Sequence, residues 1–188
     1  MKDISCGPGH GISIGSLGKN NSTGTVKGVV LNNAVLNGTT NGLRIKTWQG
    51  GSGYVNSVRF ENVQMENVAN PILIDQFYCD SPKKCPIQTS AVAISQIMYR
   101  NVSGITTTKE AIRFACSDTV PCINVVLNNI SLQSHAGTAE TYCHSVSGIT
   151  KGSIQPSADC LLSSDKGKII AQENEAEIVA EHVVHTEL

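Results

Sequence analysis

The 188-residue sequence predicts an all-β protein, a parallel β-helix, from three observations. Two apolar motifs recur in the same order along the chain, their spacing is close to 30 residues, and no long segment before Cys160 has helical periodicity. The coils of such a fold stack about 4.8 Å apart. The alternative is a β-sandwich whose hairpins resemble one another by chance, but a sandwich gives no reason for two series to repeat in register.

The first motif has an asparagine at its centre. Apolar residues alternate before the asparagine, as at Val29 and Leu31, and resume one position out of phase after it, as at Ala34 and Leu36. In a straight strand this shift would move the apolar side chains to the opposite face. Asparagine tolerates the left-handed conformation of a sharp bend, so each copy predicts a corner at its asparagine. The four asparagines are Asn33, Asn62, Asn101 and Asn129.

The second motif is a short strand with apolar residues at alternate positions. Its copies are separated by 31, 29 and 40 residues. The longest interval contains Cys79 and Cys85, which we interpret as the neck of a loop insertion. The four copies are residues 11–14, 42–45, 71–74 and 111–114.

Charge and hydrophobicity limit the partners. With 14 Lys and Arg against 15 Asp and Glu, the formal net charge is -1, so bulk charge does not favour nucleic acid or an anionic membrane. No stretch reaches the roughly 18 apolar residues of a membrane span. The first residues, MKDISCGPGHG, also lack the basic and apolar regions of an export signal.

The cysteines nevertheless indicate an oxidising compartment. None of the seven has the C-x-x-C spacing of a zinc or redox site, so short-loop disulfides are the better interpretation. Cys6 has no near neighbour and is predicted to be free. Five N-x-S/T sequons, at Asn20, Asn21, Asn37, Asn101 and Asn129, also favour secretion. The predicted pairs are Cys79–Cys85, Cys116–Cys122 and Cys143–Cys160.

The chain has the length of a single domain. We expect residues 1–167 to form the coils. Residues 168–188 carry five Glu with apolar residues in a roughly helical distribution. They are predicted to be either a helix that caps the last coil or a solvated acidic tail.

Three clusters are candidates for chemistry. Flanking glycines would expose His10, although a glycine-rich bend is equally often a plain corner. Strand alternation places Arg44 and Lys46 together on the outer face, where they suit a carboxylate or form a solvated charge pair. Residues 75–78, Asp-Gln-Phe-Tyr, follow a core strand, and an aromatic there could face a sugar ring or cap the core.

Two of these clusters resemble a known family. Residues 5–16, Ser-Cys-Gly-Pro-Gly-His-Gly-Ile-Ser-Ile-Gly-Ser, are similar to the histidine signature of polygalacturonases, glycoside hydrolase family 28. Arg44-Ile45-Lys46 follows at the distance of that family's substrate-binding motif. The resemblance is to plant members and covers nearly the whole chain. It implies a right-handed parallel β-helix that is secreted to the cell wall.

The resemblance also implies a role for each site residue. Members hydrolyse the α-1,4 bonds of polygalacturonan, the backbone of pectin, with inversion. His10 would hydrogen-bond and tune the catalytic aspartates, Arg44 and Lys46 would bind a galacturonate carboxylate, and Tyr78 would contact the sugar. We expect pectin as the partner, a monomer, and no cofactor, metal, nucleic acid or membrane.

The sequence departs from the family at the carboxylates. The family carries an Asn-Thr-Asp motif and an Asp-Asp pair N-terminal to the histidine, and neither is present here. The only carboxylate near His10 in sequence is Asp3, without a partner. We therefore expect a fragment that does not hydrolyse pectin. The alternatives are a non-catalytic pectin-binding module and a pectate lyase, but a lyase would need an acidic calcium cluster that the sequence does not show.

Overall fold

The computed structural model describes residues 1–162, and the predicted tail or capping helix of residues 168–188 lies outside them. Two single-turn 3-10 helices, Lys19–Asn21 and Asp159–Leu161, accompany the strands. In this part of the chain no helix is long and apolar enough to cross a membrane. The strands are β1 Lys2–Cys6, β2 Ile12–Leu17, β3 Thr23–Asn37, β4 Asn41–Thr47, β5 Ser52–Val68, β6 Asn70–Asp75, β7 Ala93–Thr106, β8 Glu110–Ala115, β9 Cys122–Ser134, β10 Glu140–His144 and β11 Val146–Gln155.

The strands form two parallel sheets; five successive coils each contribute one strand to each sheet, and β11 adds a sixth strand to the larger one. The larger sheet has the order β1-β3-β5-β7-β9-β11, and the smaller has the order β10-β8-β6-β4-β2. All paired strands are parallel. This topology is a parallel β-helix, as the sequence predicts.

The second motif occupies equivalent positions in the smaller sheet. Ile12 pairs with Leu43, Leu43 with Ile72, and Ile72 with Ile112. The long interval is accommodated by residues 76–92, between β6 and β7. Cys79 and Cys85 join within this loop. The insertion therefore leaves the register of the coils intact.

The four predicted corners are real. Asn33, Asn62, Asn101 and Asn129 have φ of 62°, 55°, 52° and 53°. The residues on either side of each asparagine are paired between coils, so the four occupy equivalent positions. On both sides of the first corner, Leu31, Ala34 and Leu36 are buried. The bend thus restores the apolar residues to one core, as the phase shift predicts.

The corner side chains also bond between coils. Asn101 donates from Nδ2 to Oδ1 of Asn62 at 2.9 Å, and Asn129 donates to Asn101 at 3.4 Å. Asn62 donates to Oδ1 of Asn32, at 2.9 Å, rather than to Asn33. Because these bonds run along the stack, they reinforce the register that the backbone sets.

A second row of corners lies five residues before the first, and the sequence analysis missed it. Gly28, Ser57, Gln96 and Asn124 have φ of 72°, 55°, 54° and 56°. These four residues have no common chemistry, so no residue type marks the position. β3, β5, β7 and β9 therefore each bend at both of these rows.

The core is a stack of like side chains. Phe60 and Tyr99 are paired across β5 and β7, and their rings stack with centroids 5.2 Å apart. Both side chains are almost completely buried. The predicted disulfides Cys116–Cys122 and Cys143–Cys160 also form, and Cys6 is free.

The corner asparagines are expected to contribute to stability through both backbone conformation and side-chain bonding. Asn62→Ala should lower the free energy of unfolding by about 2 kcal/mol, because alanine disfavours positive φ and lacks the amide. Asn62→Gly, which tolerates positive φ, is the matched control and should lose roughly half as much. Urea unfolding of the oxidised protein measures both. Equal losses in the two variants would contradict the conformational part of this explanation.

Candidate functional site

Arg44 and Lys46 project from the outer face of the smaller sheet. The residues that alternate with them, Leu43 and Ile45, are fully buried, whereas both cations are partly exposed. Lys46 is paired with Asp75 on the next coil. Stacking thus builds one polar surface from residues about 30 positions apart.

The structure brings Arg44, Lys46 and Tyr78 into one arrangement. Nε of Arg44 donates to Oγ of Ser13 at 3.0 Å, which orients the guanidinium. Nζ of Lys46 lies 4.5 Å from the ring centroid of Tyr78 and 3.4 Å from its hydroxyl oxygen. The ammonium is therefore held over an aromatic face by a cation–π contact.

A buried glutamine fixes the turn that carries Tyr78. Gln76 is fully buried, donates from Nε2 to the carbonyl of Val92 at 2.8 Å, and accepts the backbone N–H of Ser117 at 2.8 Å. These bonds close the neck of the 76–92 loop and satisfy the buried amide. Of the candidate cluster at residues 75–78, Gln76 is therefore structural.

His10 lies one coil earlier, at the bend before β2. Its side chain is exposed, and its carbonyl oxygen accepts a bond from Nδ2 of Asn41 at 3.2 Å. Ser13, the hydroxyl partner of Arg44, follows three residues later on β2. Within residues 1–162, His10 makes no hydrogen bond with Arg44, Lys46 or Tyr78.

Asp75 supplies the carboxylate of this surface. Burial raises the pKa of the Asp75 carboxyl, and this effect outweighs the lowering by the N–H of Phe77 and by the charges of Arg113 and Arg44. Its Oδ1 accepts the Phe77 N–H at 2.9 Å. A carboxyl with a raised pKa among cations is typical of functional sites and also occurs in structural charge networks.

Asp3 does not lie at the site, although it is the only carboxylate near His10 in sequence. It is on β1 in the larger sheet, and its Oδ1 accepts a bond from Nδ2 of Asn33 at 2.6 Å. With φ of 56°, it occupies the corner position of the first coil. The sequence signal that could have shown this is the 30-residue interval between Asp3 and Asn33.

Sequence analysis also missed an arginine–carboxylate pair and a histidine–carboxylate pair farther along the same face. Arg113, in register with Leu73, bonds Glu110 at 3.0 Å and lies 4.5 Å from the ring of Tyr142. His144 bonds Asp118 at 2.8 Å. Alternation on β8 and β10 predicts that Arg113 and His144 point outward. Only the stacking of the coils shows that they extend the same surface as Arg44 and Lys46.

The arrangement is suited to an anionic, hydroxylated ligand. Arg44 offers a planar fork for a carboxylate, Lys46 a second positive charge, and Tyr78 an aromatic face with a polar end. Within residues 1–162, no group of three or more His, Cys, Asp or Glu side chains could hold a metal ion.

The fold and the site define a parallel β-helix protein that carries cations and aromatic rings on one sheet face, and proteins of similar sequence show the family to which it belongs. Residues 1–155 match the model of glycosyl hydrolases family 28. A probable polygalacturonase of Arabidopsis thaliana is 48% identical over 158 residues, and a polygalacturonase of Malus domestica is 51% identical over 155 residues. The chain belongs to glycosyl hydrolases family 28.

The matches cover most of this chain but a minor part of each relative. The Arabidopsis match covers 83% of this chain and 36% of the relative, and the Malus match covers 82% and 33%. The solved polygalacturonase from Erwinia carotovora ssp. carotovora is 30% identical with a TM-score of 0.57, over 77% of this chain and 34% of that one. The chain thus spans about a third of the length of these relatives.

The raised pKa of Asp75 has a consequence for stability. A carboxyl whose folded pKa is raised favours the folded state below its unfolded pKa, near 3.8, and that contribution is lost as pH rises through the folded pKa. Asp75→Asn removes the titration but can still accept the Phe77 N–H. We therefore expect this variant to be more stable than the wild type at pH 7 and equally stable near pH 3.

Thermal unfolding over that pH range tests this expectation, with the exposed Asp80→Asn as the matched control. A wild-type advantage over Asp75→Asn at pH 7 would show that the arginines, rather than burial, dominate the energetics of Asp75.

Proposed function

We propose that this chain is the substrate-binding part of a secreted glycosidase that hydrolyses pectin, and that it holds polygalacturonan at Arg44, Lys46 and Tyr78. The observation that carries the proposal is the arrangement of two outward cations with Tyr78 beneath the Lys46 ammonium. Polygalacturonan presents a carboxylate and hydroxyls on every sugar, which are the groups that these side chains recognise.

The contacts of each side chain indicate its role in binding the polymer. Nε of Arg44 donates to Ser13, so the two terminal NH₂ groups of Arg44 are available for a carboxylate. Lys46 supplies a point charge, and the Tyr78 hydroxyl beside it can exchange hydrogen bonds with a sugar hydroxyl. We assign His10 a supporting role at the border of the site, since a neutral imidazole both donates and accepts.

We further propose that this chain does not hydrolyse the polymer by itself. Inversion requires one carboxyl as acid and another as base, about 6.5–9.5 Å apart. Asp75 can provide one, but Glu110 is bonded to the Arg113 guanidinium and Asp118 to the His144 imidazole. The reacting carboxylates are therefore assigned to segments outside this sequence, as the missing Asn-Thr-Asp and Asp-Asp motifs suggest.

The disulfides support secretion. Three of them form, and such bonds persist in oxidising compartments such as the cell wall space. A pectin-binding module without catalysis is the second candidate, favoured by the cation–aromatic surface of Arg44, Lys46 and Tyr78. An in-frame Asp-Asp segment in the coding sequence upstream of Met1 would remove the reason for that alternative.

Binding should depend on the two cations. Arg44→Ala and Lys46→Ala should each weaken binding of polygalacturonate oligomers by about 10- to 100-fold, because each removes a charge-assisted contact. Isothermal titration calorimetry measures the affinity. Arg59→Ala and Lys27→Ala, on the other sheet, are matched controls and should bind like the wild type. Equal affinity in all five proteins would refute the assigned site.

Turnover should be far below that of a longer relative. We expect the rate of reducing-end release from polygalacturonate to be at least about 10²-fold below that of the Malus domestica polygalacturonase assayed in parallel, because an acid–base partner is worth 10²–10⁴-fold. A rate within about tenfold of the relative would contradict the assignment of the carboxylates elsewhere.

A further inference from the structure

A second concave site adjoins the proposed substrate-binding surface. It is a cavity of about 260 Å³ just beyond the end of β4, between the Lys19–Asn21 turn and the 76–92 loop. Its lining is one aromatic ring and four amides, Trp48, Asn20, Asn21, Gln49 and Gln88, with Cys85 and Pro86. None of these residues belongs to the proposed site at Arg44, Lys46 and Tyr78.

The cavity connects to that site through two aromatic rings. Trp48 and Tyr78 meet edge to face with centroids 5.5 Å apart. Nζ of Lys46 lies 4.5 Å from the Tyr78 centroid, and Nζ of Lys19 lies 5.0 Å from the Trp48 centroid. The four groups therefore follow one another in space in the order Lys46 ammonium, Tyr78 ring, Trp48 ring and Lys19 ammonium. A polyanion that contacts Lys46 and Tyr78 therefore has Trp48 and Lys19 as its next contacts along this row.

The backbone at Gly50 keeps polar groups of the cavity close together. Gly50 has φ of 81°, and a Cβ there would lie 2.3 Å from both Oδ1 of Asn21 and Oε1 of Gln88. Two amide oxygens thus converge where a side chain would otherwise be. The backbone N–H of Gln88 is bonded to Oε1 of Gln49 at 3.1 Å, which ties the loop to the end of β4.

From this geometry we propose that the cavity is an additional subsite for one more galacturonate unit of the polymer bound at Arg44, Lys46 and Tyr78. The proposal rests on the function proposed above. Amides donate and accept, as adjacent sugar hydroxyls require, and an aromatic ring packs against the apolar C–H face of a sugar. The Lys19 ammonium, which is exposed, provides the charge for the carboxylate. The Trp48 Nε1–H is enclosed without an acceptor in the described chain, so the ligand contact is assigned to the ring.

The sequence offers a direct reporter, because Trp48 is the only tryptophan. Oligogalacturonates of increasing length are titrated against the 188-residue protein, produced without N-glycans because Asn20 and Asn21 lie in sequons. Short oligomers should bind without changing Trp48 emission, and longer ones should bind more tightly and change it. An unchanged emission at saturation with every oligomer would overturn the proposal.

Two variants test the subsite from different segments of the chain. Lys19→Ala and Gln88→Ala should each weaken binding of long oligomers by about three- to tenfold and leave short oligomers unaffected. Lys27→Ala and Gln133→Ala, both exposed on the larger sheet, are the matched controls. Because the two variants alter separate segments, misfolding of one leaves the other decisive.

The outcomes separate this inference from the proposed function. If Lys19→Ala and Gln88→Ala behave like their controls at every length while Arg44→Ala weakens binding, the additional subsite is wrong and the proposed function stands. If Arg44→Ala also has no effect, both proposals are wrong.

Discussion

The register between stacked coils is the constraint on which the rest of this structure depends. Parallel backbone pairing holds the coils in line, but slipping by one residue would exchange the buried and exposed faces of every strand. The corners prevent such a slip because each asparagine must occupy a left-handed bend and bond to the coil beside it. Core residues then stack on their equivalents, as Phe60 does on Tyr99.

The proposed binding surface is a consequence of that register. Arg44 and its hydroxyl partner Ser13 are 31 residues apart in sequence, and Lys46 and Tyr78 are 32 apart. Each pair meets because one coil lies directly on the next. The 76–92 insertion adds a loop without disturbing the stack, since Gln76 closes its neck from inside the core. The fold can therefore extend its loops while keeping the sheet face fixed.

On this face the charged side chains differ in the partners that they contact. Arg113 is bonded to the Glu110 carboxylate, which compensates much of its charge, and the His144 imidazole is bonded to Asp118. Arg44 and Lys46 instead contact a hydroxyl and an aromatic ring, which leaves their charges available to an anion. Asp75 lies beside Lys46, and burial raises the pKa of its carboxyl. Arg44 and Lys46, the cations that the sequence analysis singled out, thus differ from Arg113 in the groups that they contact.

The sequence alone determined the fold class, the first row of corners, the disulfide pairs and the outward direction of Arg44 and Lys46. Each of these features follows from the residue types and their alternation within a short segment of the chain. The tertiary structure showed that Asp3 is a corner residue, which its 30-residue interval from Asn33 could have indicated, and it alone showed that Asp75 is the carboxylate beside Lys46. It also revealed the Trp48 cavity, whose walls come from three separate segments. Such features depend on which residues stacking brings together across intervals of about 30 positions, and no local pattern encodes that contact.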